Sequence, residues 1–107
     1  MALLNLTFSF QGTPGASIPQ EWAHSGVVGS GDMEVLLYRK EQHGQVNVKV
    51  CTPVRGFDHV WEMVLRRFID DSGCGDLDLE INDNNATPFI ARLRLQQALL
   101  EARGGEN

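Results

Sequence analysis

Long apolar runs, basic clusters and closely spaced cysteines are all missing from this 107-residue sequence. No apolar stretch approaches the ~20 residues that a membrane-spanning helix needs, so we expect no membrane partner. The formal net charge is −5, and the densest positive groups are only Arg66–Arg67 and the pair Arg92 and Arg94. An acidic surface without a basic patch repels nucleic acid at long range, so we expect no nucleic-acid partner.

The cysteine content is also low. The two cysteines, Cys51 and Cys74, are far apart in the chain and form no CxxC pair. They predict two free thiols, the first on a strand and the second in a loop. The first five residues contain no charged segment of the kind that opens a signal peptide, so we expect a cytoplasmic protein.

The residues that could bind a metal or act as a nucleophile do not have the sequence spacings typical of such sites. Three histidines stand far apart, with no second ligand at a zinc-site interval; they are His24, His43 and His59. The acidic residues from Asp70 to Asp83 do not fit an EF-hand, and half of them fall on a strand predicted to face solvent. A hydrolase elbow around Ser30 would need glycine at the positions of Val28 and Asp32. We therefore expect neither a metal nor a catalytic residue.

The apolar residues that are present follow two periods. Alternation with a period of two, or a short valine-rich run, predicts strands; these lie around Leu4–Phe10, Gly26–Val28, Met33–Leu37, Val46–Val50 and Leu77–Ile81. Spacings of three and four from Phe57 to Ile69 predict an amphipathic helix. Thr87 followed by Pro88 is typical of a helix start, which predicts a second helix over residues 88–103. Residues 11–20 and 82–85 are predicted to be a loop and a turn.

The predicted order is therefore β-β-β-β-α-β-α. Strands with one apolar face need a cover, and two amphipathic helices can supply it. This order predicts an α+β fold, a two-layer sandwich in which two helices cover a mainly antiparallel sheet of four to five strands. At this length the chain forms a single domain, residues 1–107.

The most informative segment is Gly29-Ser30-Gly31-Asp32, which lies between two predicted strands. Its composition predicts a tight turn that exposes the Ser30 hydroxyl, with flanking glycines that allow another enzyme to approach. Small polar residues are common in turns, so the composition by itself is also explained without any function. Asp32 is open to two interpretations: a recognition mark for an enzyme, or a turn residue that bonds the backbone.

The surrounding residues resemble a known family. Gly26-Val27-Val28-Gly29-Ser30-Gly31-Asp32-Met33-Glu34-Val35-Leu36 is similar to the prosthetic-group attachment segment of malonate decarboxylase acyl carrier proteins, the delta subunits. Further similarity follows in Ile81-Asn82-Asp83, Ala86-Thr87-Pro88 and Ala91-Arg92-Leu93-Arg94-Leu95. The resemblance covers residues 24–103, and the citrate lyase acyl carrier subunit is a more distant relative. Asn85 stands where the family commonly has glycine, and residues 1–20 carry no family motif.

The resemblance implies a non-catalytic acyl carrier domain. Ser30 would hold 2'-(5''-phosphoribosyl)-3'-dephospho-CoA through a phosphodiester, with Gly29, Gly31 and Asp32 supporting the turn. The thiol of that group would carry acetyl and malonyl, and decarboxylation would occur on partner subunits. The implied partners are the acyl transferase and decarboxylase subunits and a prosthetic-group transferase. Two alternatives stay open: an unmodified interaction module of α+β type, and a carrier for citrate lyase.

Overall fold

A five-stranded sheet and two helices make up the computed structural model, which describes residues 2–16 and 18–104. In chain order the elements are β1 (Leu4–Gln11), β2 (Trp22–Gly26), β3 (Asp32–Arg39), β4 (Gln45–Thr52), α1 (Asp58–Ser72), β5 (Leu77–Asn84) and α2 (Pro88–Ala102). The strands lie in the order β1-β4-β5-β3-β2, and only β4 and β5 run parallel among the described strand pairs. The parallel pair follows from the chain path, because α1 carries the chain back between β4 and β5. The predicted α+β order and mainly antiparallel sheet are confirmed.

One face of the sheet is buried beneath both helices. Alternate residues of β3, β4 and β5 are almost completely buried there; they are Met33, Val35, Leu37, Val46, Val48, Val50, Leu77, Leu79 and Ile81. The predicted helical stripe of α1 is confirmed, since its buried residues are Trp61, Leu65, Phe68 and Ile69. Helix α2 contributes Leu95, Ala98 and Leu99 to the same core. Period-two strands and period-3.6 helices thus present matching apolar faces to each other.

Helix ends follow the predicted signals. Thr87 caps α2, and its hydroxyl accepts the Ile90 backbone N–H at 3.2 Å, with Pro88 in the first turn. Helix α1 continues through Ser72 and ends at Gly73, whose φ of 67° is the left-handed conformation favoured at this position. Pro53 follows the last residue of β4. Cys51 lies on β4 and the buried Cys74 in the loop after α1, both unpaired, as predicted.

Two predicted boundaries were wrong. The second strand is Trp22–Gly26, and Val27 and Val28 lie outside it, 62% and 53% exposed. Residues 82–84 are not a turn but the end of β5, where Asp83 is buried and accepts the Thr52 hydroxyl at 2.8 Å. Both boundaries depend on pairing with β3, which ends at Gly26 in β2 and continues to Asn84 in β5. Side-chain propensity alone does not reveal these backbone partners.

Candidate modification site

Ser30 lies at the corner of a β-turn in the five-residue link between β2 and β3. The Asp32 N–H donates to the Gly29 carbonyl at 3.0 Å, which closes the turn. Gly31 has a φ of +74°, the backbone conformation that a type II turn requires at its third residue. The Ser30 side chain is exposed. Within residues 2–16 and 18–104 its hydroxyl has no hydrogen-bond partner, so it is available to an incoming group.

The two glycines that flank Ser30 both face open space. A Cβ placed on Gly31 would meet no atom within 4 Å, and one placed on Gly29 would meet only the Val27 Cγ2, at 3.7 Å. Contacts with nearby atoms therefore do not require glycine at either position. Ser30 is exposed and no other part of the described chain covers its turn, so there is room for a bulky group on its hydroxyl.

The turn is nevertheless fixed to the sheet. The Gly31 N–H donates to the Asn84 carbonyl at 2.9 Å, and Asp32 pairs with Asn84 in the register of β3 and β5. The residues on the C-terminal side of Ser30 are therefore held by backbone hydrogen bonds to β5. A rigid scaffold that holds one exposed side chain is a suitable platform for a partner enzyme.

Asp32 is held by an arginine of α2. The Arg94 guanidinium donates from Nε to Oδ1 at 2.9 Å and from Nη2 to Oδ2 at 2.7 Å, while the Met33 N–H also donates to Oδ1 at 2.7 Å. The bonds from Arg94 and then from Met33 lower the pKa of the Asp32 carboxyl, and the same pairing raises the pKa of Arg94. Both carboxylate oxygens are engaged, so the turn-residue interpretation of Asp32 has a physical basis here.

Sequence reasoning missed Arg94 as part of this site. The residue is 62 positions from Asp32, and it was singled out only as a positive group and as part of the family-like segment. Its position depends on Gly26, because the Arg94 Cδ lies 3.0 Å from where a Cβ on Gly26 would stand. The Ser25 hydroxyl also donates to the Arg94 carbonyl.

The other singled-out residues lie elsewhere. His24 is on β2 and bonds Glu34 at 3.2 Å on the sheet face away from the helices. Across residues 2–16 and 18–104, no cluster of three histidine, cysteine or acidic side chains has the geometry to hold a metal ion. Neither helix in that part of the chain is long and apolar enough to cross a membrane.

Three comparisons with known proteins agree. A family model described as malonate decarboxylase delta subunit (MdcD), an acyl carrier family, matches residues 20–102. The malonate decarboxylase acyl carrier protein of Malonomonas rubra is 52% identical over 103 residues, which are 96% of this chain and 90% of that protein. The protein of that name from Acinetobacter calcoaceticus is 38% identical, over 92% of this chain and 96% of the relative.

A solved structure is similar as well. It is the crystal structure of a Pseudomonas malonate decarboxylase hetero-tetramer in complex with malonate. One of its chains superimposes with a TM-score of 0.74 at 37% identity, covering 95% of this chain and 99% of that one.

Proposed function

Because this chain belongs to the malonate decarboxylase acyl carrier family, as a carrier rather than a catalytic subunit, we propose that Ser30 is the residue that bears its acyl-carrying group. The proposed group is 2'-(5''-phosphoribosyl)-3'-dephospho-CoA, linked through a phosphodiester. Once attached, it supplies a thiol on which acetyl and malonyl are carried as thioesters. The observation that supports Ser30 most directly is its exposed hydroxyl, which bonds no other part of the described chain, on a turn that is otherwise anchored.

The attachment needs help from another protein. Ser30 Oγ forms a bond to phosphorus of an activated phosphoribosyl donor, the bond from that phosphorus to its leaving group breaks, and the hydroxyl proton passes to a base. A serine hydroxyl is a weak nucleophile unless such a base is adjacent. Asp32 is ill suited to act as that base, because the bonds from Arg94 and Met33 stabilise its charged form and lower its pKa. The base therefore belongs to a prosthetic-group transferase.

The chain's own thiols do not substitute for the thiol of the attached group. Cys74 is completely buried, and burial raises the pKa of its thiol. Cys51 lies within β4 and is only half exposed. The thiolate is the reactive form of cysteine, so a buried thiol with a raised pKa is a poor acyl acceptor. A thiol on a long arm also reaches partner active sites, which a strand residue does not.

The partners follow from this role. We place the chain with the acyl transferase and decarboxylase subunits of a malonate decarboxylase in the cytoplasm, where it serves malonate breakdown. The similar Pseudomonas chain comes from a hetero-tetramer, which supports assembly with other subunits. Tethering to Ser30 raises the concentration of cargo at partner sites to the order of mM without any contact between cargo and carrier.

Replacement of Ser30 within the assembled complex tests the proposal. The Ser30→Ala chain is expected to assemble with its partners and to leave malonate turnover below detection. The control is Ser9→Ala, which removes an exposed hydroxyl on β1 together with its bond to Asn47 at 2.8 Å, far from the turn, and should keep full turnover. Assembly with retained turnover in the Ser30 variant would indicate instead an unmodified interaction module.

A further inference from the structure

An apolar cavity lies at the same end of the molecule as Ser30. It has a volume of about 270 Å³ and opens between the N-terminal halves of α1 and α2. Val60, Trp61 and Val64 line it from α1, and Ala91 lines it from α2. Asn85, at its rim, follows directly after β5.

The cavity is close to the attachment point. The Gly31 N–H bonds the Asn84 carbonyl at 2.9 Å, and Ser30 and Asn85 each adjoin one member of this pair. Two residue steps and one strand spacing place the Cα atoms of Ser30 and Asn85 within about 13 Å of each other. A group that contains two sugars and a pantetheine chain is longer than that. An arm fixed to Ser30 therefore reaches the cavity mouth.

The residues that line the cavity determine which part of the arm can enter it. None of the described lining residues is a lysine, an arginine or a histidine, so phosphate groups find no counter-ion there. The only ionisable group among them is Asp83, whose oxygens accept the Thr52 hydroxyl at 2.8 Å and the Ala86 N–H at 2.9 Å. The pantetheine chain is uncharged, and its methyl and methylene groups gain by burial in such a cavity. A second carboxylate near Asp83 is disfavoured by desolvation and by like charge.

We infer that this cavity shelters the pantetheine end of the arm when it carries acetyl, and excludes that end when it carries malonyl. The inference rests on the proposed attachment at Ser30. Weak intrinsic affinity is sufficient, because a tethered ligand is present at an effective concentration of the order of mM. The charged form is left in solvent, available to the decarboxylase subunit, while the uncharged resting form is shielded from hydrolysis.

Thioester protection measures this occupancy. Acetyl and malonyl thioesters on the full-length modified chain are cleaved with hydroxylamine. The protection factor of each is the cleavage rate of the same thioester on free dephospho-CoA divided by its rate on the chain. Where the effective concentration equals the dissociation constant, half of the acetyl arms are sheltered, so the acetyl form is protected about twofold and the malonyl form not at all. In the same samples the indole N–H resonance of Trp61 should shift between the unmodified and acetyl forms and stay unshifted in the malonyl form.

A matched pair of variants assigns the effect to the cavity. Val64→Phe fills it, and Met63→Phe places the same side chain one residue away at a position that is 69% exposed and outside the lining. Protection is expected to disappear in the first variant and to persist in the second. Equal protection of acetyl and malonyl, or none for acetyl with the Trp61 resonance unmoved, would overturn the inference. Intact mass separates this failure from a failure of attachment, which would overturn both proposals.

Discussion

Arg94 and Asp32 join the helical layer to the modification turn through two charge-assisted bonds, of 2.9 and 2.7 Å. Their side chains are only 26% and 19% exposed. Since Asp32 is the last residue of the Ser30 turn and Arg94 lies in the middle of α2, the pair fixes the turn relative to the core. Two parallel hydrogen bonds between an arginine and a carboxylate fix the relative orientation of the two groups as well as attracting them.

The Arg94–Asp32 pair predicts a specific dependence of stability on pH. The pKa of Asp32 is lowered below its ordinary 3.8 in the folded chain, so its contribution is present above about pH 4 and is lost as the pH falls through the folded value. The melting temperature of Asp32→Asn should be lower than that of the parent at pH 7, and the difference should shrink below pH 4. A difference that stays constant down to pH 2 would show that the charge contributes nothing.

Gly26 is predicted to be intolerant of any side chain. Its φ is +78°, and a Cβ there would approach the Met33 carbonyl oxygen to 2.0 Å. Gly26→Ala should lower the free energy of unfolding by about 2–5 kcal/mol, from backbone strain plus overpacking. Gly56→Ala is the matched control, because Gly56 has a φ of +83° with no atom near the added Cβ. The control should lose only about 1–2 kcal/mol, from strain alone. Urea unfolding measures both, and equal losses would contradict the role assigned to the Met33 carbonyl.

The Thr52 hydroxyl is predicted to stabilise the folded chain. The Thr52 Oγ1 donates to Asp83 at 2.8 Å and accepts the Val54 N–H at 3.1 Å, and the residue is fully buried. Thr52→Val keeps the shape but leaves the Asp83 oxygen without that donor, which should cost about 1–3 kcal/mol of unfolding free energy. Thr52→Ser keeps the hydroxyl and should cost less than Thr52→Val. The reverse order in denaturant titrations would show that packing of the methyl group matters more than the hydrogen bond.

Sequence periodicity was sufficient for the order of elements, because each strand and helix has one apolar face to bury. It failed where tertiary partners decide the outcome. Val27 and Val28 have strand propensity but lie beyond the last pair of β2 and β3, Gly26 with Glu34. Asn82 has turn propensity but pairs with Glu34 in the sheet.

The burial of two acidic side chains was not predicted from the sequence. Asp78 and Glu80 lie on the face of β5 away from the core, as predicted, but Asp76 and Asp83 of the same acidic run are buried. Asp76 accepts the backbone N–H groups of Gln42 and Gly44 at 2.9 and 2.7 Å, and the bonds from Gln42 and Gly44 lower its pKa. Donors that lie 34 and 32 residues away leave no local signal, and the same holds for Arg94 beside Asp32.

Ser30→Ala is expected to leave the fold unchanged. The hydroxyl makes no hydrogen bond within residues 2–16 and 18–104 and is exposed, so the free energy of unfolding should change by no more than about 0.5 kcal/mol. Thermal melting of the unmodified parent and variant checks this directly. A larger loss would mean that Ser30 stabilises the turn rather than only presenting an oxygen.

The most direct test of attachment is the intact mass of the chain isolated from cells that contain the full modification machinery, followed by fragmentation of the peptide that includes residues 26–36. We expect one phosphoribosyl-dephospho-CoA per chain, located on Ser30 and absent from Ser30→Ala. An unmodified parent chain from those cells, or the same added mass on another residue, would contradict it.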